Sequence, residues 1–224
     1  MSGVTTVTAS DFRGLGKGGP RLAATVGDTL HLLVLATDPW HCVGVDLASG
    51  ALVRAWCAER PTTRLRAYDV VVVTLAGDTT VVPDPSEPEA LVLARAPEAV
   101  GRIRGRKAEK LLRPLLHPTG TPLLGSRAGA VPFWDRRPEH PSIALVEPSG
   151  PIVLRREHAY LACSFTWDGG VREFPCLDRR VAGEMDARGQ IQGAAETGTR
   201  LLIGLTPPID GHCHKVVEAV LARP

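Results

Sequence analysis

The stretch PPIDGHCHKVVEA, Pro207–Ala219, gathers more potential chemistry than any other part of the chain. Two imidazoles, His212 and His214, flank the thiol of Cys213, and Lys215 follows. On a strand, alternate residues share a face, so the two histidines would point one way and Cys213 the other. Two ligands on one face can begin a metal site, which then needs a third and usually a fourth donor. His41 and Cys42 are the candidates to complete it, because they too follow a proline-containing turn. No C-x-x-C or H-x-x-x-H spacing supports them. The stretch therefore reads as a closing strand with Cys213 packed inward, and no metal or cofactor is expected. Lys215 is the residue to watch.

Other catalytic patterns are weaker. The five cysteines, Cys42, Cys57, Cys163, Cys176 and Cys213, are scattered and odd in number, which is not a disulfide framework. In strand-like text they read as small buried hydrophobes rather than nucleophiles. Neither G-x-S-x-G nor H-E-x-x-H occurs. Gly14, Gly16 and Gly19 match G-x-G-x-x-G by spacing, but Pro20 and a β-like run follow where a helix is required. No enzyme is expected.

The net charge of +2 does not advertise a polyanionic partner, so attraction must come from clustering. RIRGRKAEKLLR supplies it: Arg102, Arg104, Arg106, Lys107, Lys110 and Arg113 stand together with one Glu. Such a cluster binds phosphates through counterion release, or is simply a solvated helix face. Trp40 sits in a turn, Trp134 beside Phe133 in a loop, and Trp167 at a hairpin tip. All three tryptophans could stack bases.

The elements that would position these groups are mainly β. LHLLVLA, HCVGVDL and ALVRAW read as a meander; YDVVVVTLAG as a buried strand; GDTTVVP as its return. The middle has helical spacing at Ala108, Leu111, Leu112 and Leu115, broken at Pro114, then a long Pro- and Gly-rich connection. Strand text resumes at Ser142, with AYLACSFTWDGGVREFPCL a clear hairpin and DRRVAGEMDAR a short helix. Two groups of four or five short strands suit two tandem small OB-like barrels with a short helical and loop-rich insert. The expected boundaries are a flexible lead-in over 1–21, a first barrel over 22–97, a connector over 98–140 and a second barrel over 141–224. No apolar run is long enough to span a bilayer, and no signal pattern opens the chain, so a cytoplasmic protein is expected. The Ala-, Arg-, Gly- and Pro-rich composition suits a bacterial source.

The motif order resembles the dual-OB domain family, prokaryotic proteins of two tandem OB-like barrels. The resemblance runs through LATDPWHCVGV, LVRA, AYDVVVV, SEPEALVL, SIALVEP, CSFTWDGGVREFPCLD and GLTPPIDGHCHKVV. Arg54, Asp178 and Lys215 match best, and Glu89 is kept from the middle motif. Leu52 and His214 replace the family's Trp and Tyr. The resemblance implies nucleic-acid binding in a defence or stress context, with Arg54 and Lys215 on phosphates. A protein-interaction subunit of a larger complex is the competing expectation, favoured by the near-neutral charge and the 4% aromatic content.

Overall fold

The unbroken apolar run LHLLVLA lies in strand β1 (Thr29–Thr37), and it is unbroken because both faces of that strand are buried. The computed structural model describes residues 27–38, 40–58, 65–76, 86–137, 140–157, 160–188 and 198–224. The lead-in over 1–21 and the return strand expected over 77–83 lie outside the described residues.

β1, β2 (His41–Asp46) and β3 (Leu52–Trp56) form an antiparallel meander. β4 (Asp69–Thr74) pairs with the other edge of β1. β5 (Ala90–Val92) runs parallel to β3, with Arg54 opposite Ala90. β6 (Glu98–Arg102) pairs with β4. Between β5 and β6 the chain stays beside β4: Leu75 bridges Leu93, and the Ala94 N–H donates to the Thr74 carbonyl at 2.9 Å. The order β5–β3–β2–β1–β4, with only that isolated bridge between its ends among the described residues, is OB-like.

The second half repeats it. β8 (Ile143–Val146) and β9 (Val153–Glu157) act as two pieces of one first strand, β8 pairing with β12 (Arg200–Leu205) and β9 with β10 (Tyr160–Trp167). β10 and β11 (Gly170–Cys176) form a hairpin whose two-residue turn, Asp168–Gly169, has positive φ at both positions. That geometry matches the twist of a strand pair, which is why Asp-Gly stands there. α2 (Arg179–Arg188) follows, and β12 pairs with β13 (His212–Leu221), which lies parallel to β11 at Cys176–Val217.

The chain is thus mainly β, with two OB-like units. The stretch 98–140 is less of a connector than its composition suggests. β6 occupies 98–102, and β7 (Ala130–Pro132) pairs with the start of β13. All five β6 residues are exposed, so no apolar alternation marks the strand. It forms because the outer edge of β4 would otherwise leave backbone groups unpaired. Helix α1 (Gly105–Leu112) follows, with Ala108 and Leu112 inward and Pro114 ending it as expected.

Among the described residues, three apolar cores form. Leu32, Val34, Val53, Val71 and Val73 fill the first barrel; Phe165, Trp167, Leu201, Ile203 and Val217 fill the second. Between the barrels, Leu33, Leu35, Val43 and Val45 pack with Leu112, Leu145, Leu202, Ala219 and Leu221. A buried ion pair crosses this joint: Arg54 Nη2 donates to Glu218 Oε1 at 2.7 Å. Gly204 makes room for it, since a Cβ there would overlap the Glu218 carboxylate. Gly204→Ala should therefore displace the Glu218 carboxylate from Arg54 and cost about 1–3 kcal/mol in urea unfolding, the range for overpacking a filled interior. A loss below about 0.5 kcal/mol, the size of an ordinary surface substitution, would contradict this role.

Candidate functional site

Arg54 stands on the outer face of β3, opposite in parity to Val53 and Ala55, which face the barrel interior. The second barrel covers it, leaving 3% exposed. Its Nε lies 3.6 Å from Glu87 Oε1, and its Nη1 lies 3.3 Å from His41 Nε2. Burial alone would lower the guanidinium pKa, but Glu218 and Glu87 outweigh it and the pKa is raised. His41 Nδ1 is 2.5 Å from Asp38 Oδ2. An Asp–His pair is the geometry of an acid–base relay. Here Arg54 occupies the imidazole nitrogen that a nucleophile would need, so the pair serves the joint.

Lys215 is 2% exposed. Its ammonium donates to the carbonyls of Ser126 at 2.7 Å and Ala128 at 2.5 Å, clamping the segment that leads into β7. Burial, with Arg172 nearby, lowers its pKa to about 8. Trp167 is 3% exposed, because its parity on β10 is that of Leu161, Cys163 and Phe165. Arg54, Lys215 and Trp167, expected at phosphates and bases, are interior groups. Asp178 caps α2 through the Arg180 N–H and ties it to β13 through the Val220 N–H, each at 3.0 Å. Glu89 accepts from both the N–H and hydroxyl of Ser142, joining one barrel to the other.

The surface groups gather elsewhere. A cleft of about 1370 Å³ opens where the barrels meet. Among the described residues, six arginines line it, Arg66, Arg102, Arg104, Arg179, Arg180 and Arg223, against four carboxylates, Asp38, Asp178, Glu184 and Glu218. Arg102 is paired with Asp69 at 2.6 Å and Arg180 with Asp178 at 2.9 Å. Among the described residues no carboxylate pairs with Arg66, Arg104, Arg179 or Arg223. Trp40, 49% exposed, stands at the same cleft.

The basic cluster divides. Arg102 and Arg104 face the cleft, whereas Arg106, Lys110 and Arg113 line a separate shallow hollow with Glu109. Their i, i+4, i+7 spacing puts these three on one side of the helix. Lys107 is exposed beside them. Glu109 is held by Arg200 at 2.6 Å. Trp134 is 64% exposed near the β12–β13 turn. Sequence reasoning missed Arg66, Arg179, Arg180, Arg223 and Trp56. The Arg pair directly after Asp178 was a usable signal, since the helix cap places both at the cleft.

Among the described residues, no three His, Cys, Asp or Glu side chains gather as metal ligands. His41 and Cys42 therefore do not converge with His212 and His214. His212 instead meets Trp134 edge-on at 5.4 Å. No described helix is long and apolar enough to cross a membrane.

Fold and cleft together define a two-barrel OB-type protein with an arginine-lined joint. No protein-family model matches the chain, and no curated protein does. Among solved structures it is similar to the p204 HINb domain, at 13% identity, over 91% of this chain and 93% of that one, with a TM-score of 0.35. It is also similar to tetrameric p202 HIN2, at 9% identity, over 92% and 100%, again with a TM-score of 0.35. Likeness at that level carries no weight for function.

All five thiols are free and buried. Burial raises Cys42 and Cys163 to about 12 and Cys176 to about 11, from an ordinary 9.0. Their contribution to stability is full below pH 9 and is lost as pH rises toward those values, because only the unfolded chain ionises. Lys215 acts oppositely: its lowered pKa makes the fold gain stability from about pH 8 to its ordinary 10.5. Three thiols outweigh one lysine. Urea unfolding should show a net loss of roughly 2 kcal/mol between pH 8 and 10; a gain would contradict the burial of the thiols.

Proposed function

We propose that the chain is a non-catalytic nucleic-acid-binding module. The observation that carries the reading is the cleft at the joint, where Arg66, Arg104, Arg179 and Arg223 meet without carboxylate partners among the described residues. Concave, cation-lined walls concentrate potential and draw in phosphate. The cleft exceeds the ~300–1,000 Å³ of pockets that enclose one small molecule, which suits a polymer segment. Arg102 adds to the cleft mouth, and Arg106, Lys107 and Lys110 extend the positive surface along α1. Trp40 and Trp134 offer exposed rings. The motif order favours membership of the dual-OB proteins and a prokaryotic defence or stress role within the cytoplasm.

The test is a salt titration of binding to labelled DNA and RNA. Arg104→Glu combined with Arg179→Glu should weaken binding to every sequence alike. Each lost phosphate contact should reduce the slope of log affinity against log salt by about one. Unchanged affinity and slope would remove the cleft from the account.

A further inference from the structure

Three of the four tryptophans are exposed, and a chain of contacts links them across the two barrels. Trp40 ends the β1–β2 turn, and its carbonyl accepts from the Cys57 N–H at 2.8 Å, one residue beyond Trp56. Trp56, 36% exposed, stacks on His41 with centroids 4.7 Å apart and donates Nε1–H to Glu87 Oε2 at 3.2 Å. The adjacent Ser86 carbonyl accepts from Arg136 Nη2 at 2.8 Å. Arg136 in turn donates its backbone N–H to the Phe133 carbonyl, in the turn that carries Trp134. Trp134 lies against Gly211, where a Cβ would sit 3.0 Å from its ring, and the side chain is 64% exposed.

Tryptophan is highly buried on average, so three exposed indoles joined by one path of contacts make a candidate ligand surface. The pattern of the path selects which. The rings are joined by polar rather than apolar side chains, His41 and His212 at the surface and Glu87 and Arg136 buried beneath it. A protein partner seeks a contiguous apolar centre. Successive bases instead need spaced π-faces beside a cationic track for the backbone. Trp40 also borders the arginine cleft, which places cations beside one end of the path. The Trp134 end is balanced, with Asp135 and Asp210 near Arg137 and His212. The two exposed turns involved, β1–β2 of the first barrel and β12–β13 of the second, are positions at which OB folds take oligonucleotides.

We propose that Trp40, Trp56 and Trp134 stack the bases of a single-stranded nucleic acid that crosses both barrels, with its phosphates on the cleft arginines. The proposal rests on the nucleic-acid reading and names its substrate: a strand with unpaired bases. A duplex hides its base faces and would have to unstack to use the path.

The full chain is titrated with an oligothymidylate of about 16 nucleotides, the upper span of one OB fold, and with a duplex of equal length, following tryptophan emission. The single strand should bind more tightly and quench emission. Trp40→Ala and Trp134→Ala should each weaken it by about 5- to 100-fold, with the salt slope nearly unchanged at Trp134. Both side chains are about half exposed or more, and an unchanged urea midpoint verifies the fold. Tyr160→Ala, an exposed aromatic off the path, should leave binding as it was. Equal duplex binding that ignores the tryptophans but falls with Arg104→Glu overturns the base path and keeps the cleft. Absence of binding to any polymer overturns both. A concentration-dependent dimer abolished by Trp134→Ala, without nucleic-acid binding, assigns the path to a protein contact and overturns it equally.

Discussion

One guanidinium organises this molecule. Arg54 leaves the first barrel, takes the Glu218 carboxylate from the second, and keeps Glu87 and His41 from its own. Removing such a charge from water is costly, and only well-placed opposite charges offset that cost. The joint must therefore hold β3, the Glu87 segment and β13 in one arrangement. Gly204 is the steric condition for it, and the apolar layer of Leu33, Leu35, Leu202 and Leu221 excludes water around it. Two barrels that could have been beads on a linker become one body.

The surface features follow from that joint. Arg102 and Arg104 precede α1, Arg66 precedes β4, and Arg179 and Arg180 open α2. They border a common cleft only because the barrels are docked. The aromatic path depends on the same docking, since Ser86 in the first barrel meets Arg136 in the second. In the proposed binding mode, the cleft and path would give a polymer two kinds of attraction, salt-sensitive at phosphate and salt-tolerant at base.

Much of the fold was legible in the sequence. Asp168–Gly169 announced its hairpin, Pro114 ended its helix, and β1 and β12 read as apolar runs because each has two buried faces. β6 was not legible, since five exposed residues carry no periodic signal. The site was legible only in part. Arg54, Glu89, Asp178 and Lys215, the residues that carry the family resemblance, hold the joint, cap a helix or clamp a turn. Lys215 shares its parity with Cys213, so alternation alone already pointed it inward. Arg54 is different: by alternation it points outward, and only the arrival of the second barrel buries it. Trp56 was hidden by the same limit, because its neighbours at Glu87 and His41 are set by folding rather than by spacing.

Both barrels are proposed to hold one ligand across a fixed joint. Hydrogen exchange of the chain with and without oligothymidylate tests it most directly, because exchange reports local opening segment by segment. The account predicts simultaneous slowing at residues 38–42, 54–57, 133–137 and 178–184, in both barrels at the same ligand concentration. Slowing confined to one barrel, or to the helix over 105–112 alone, would contradict it.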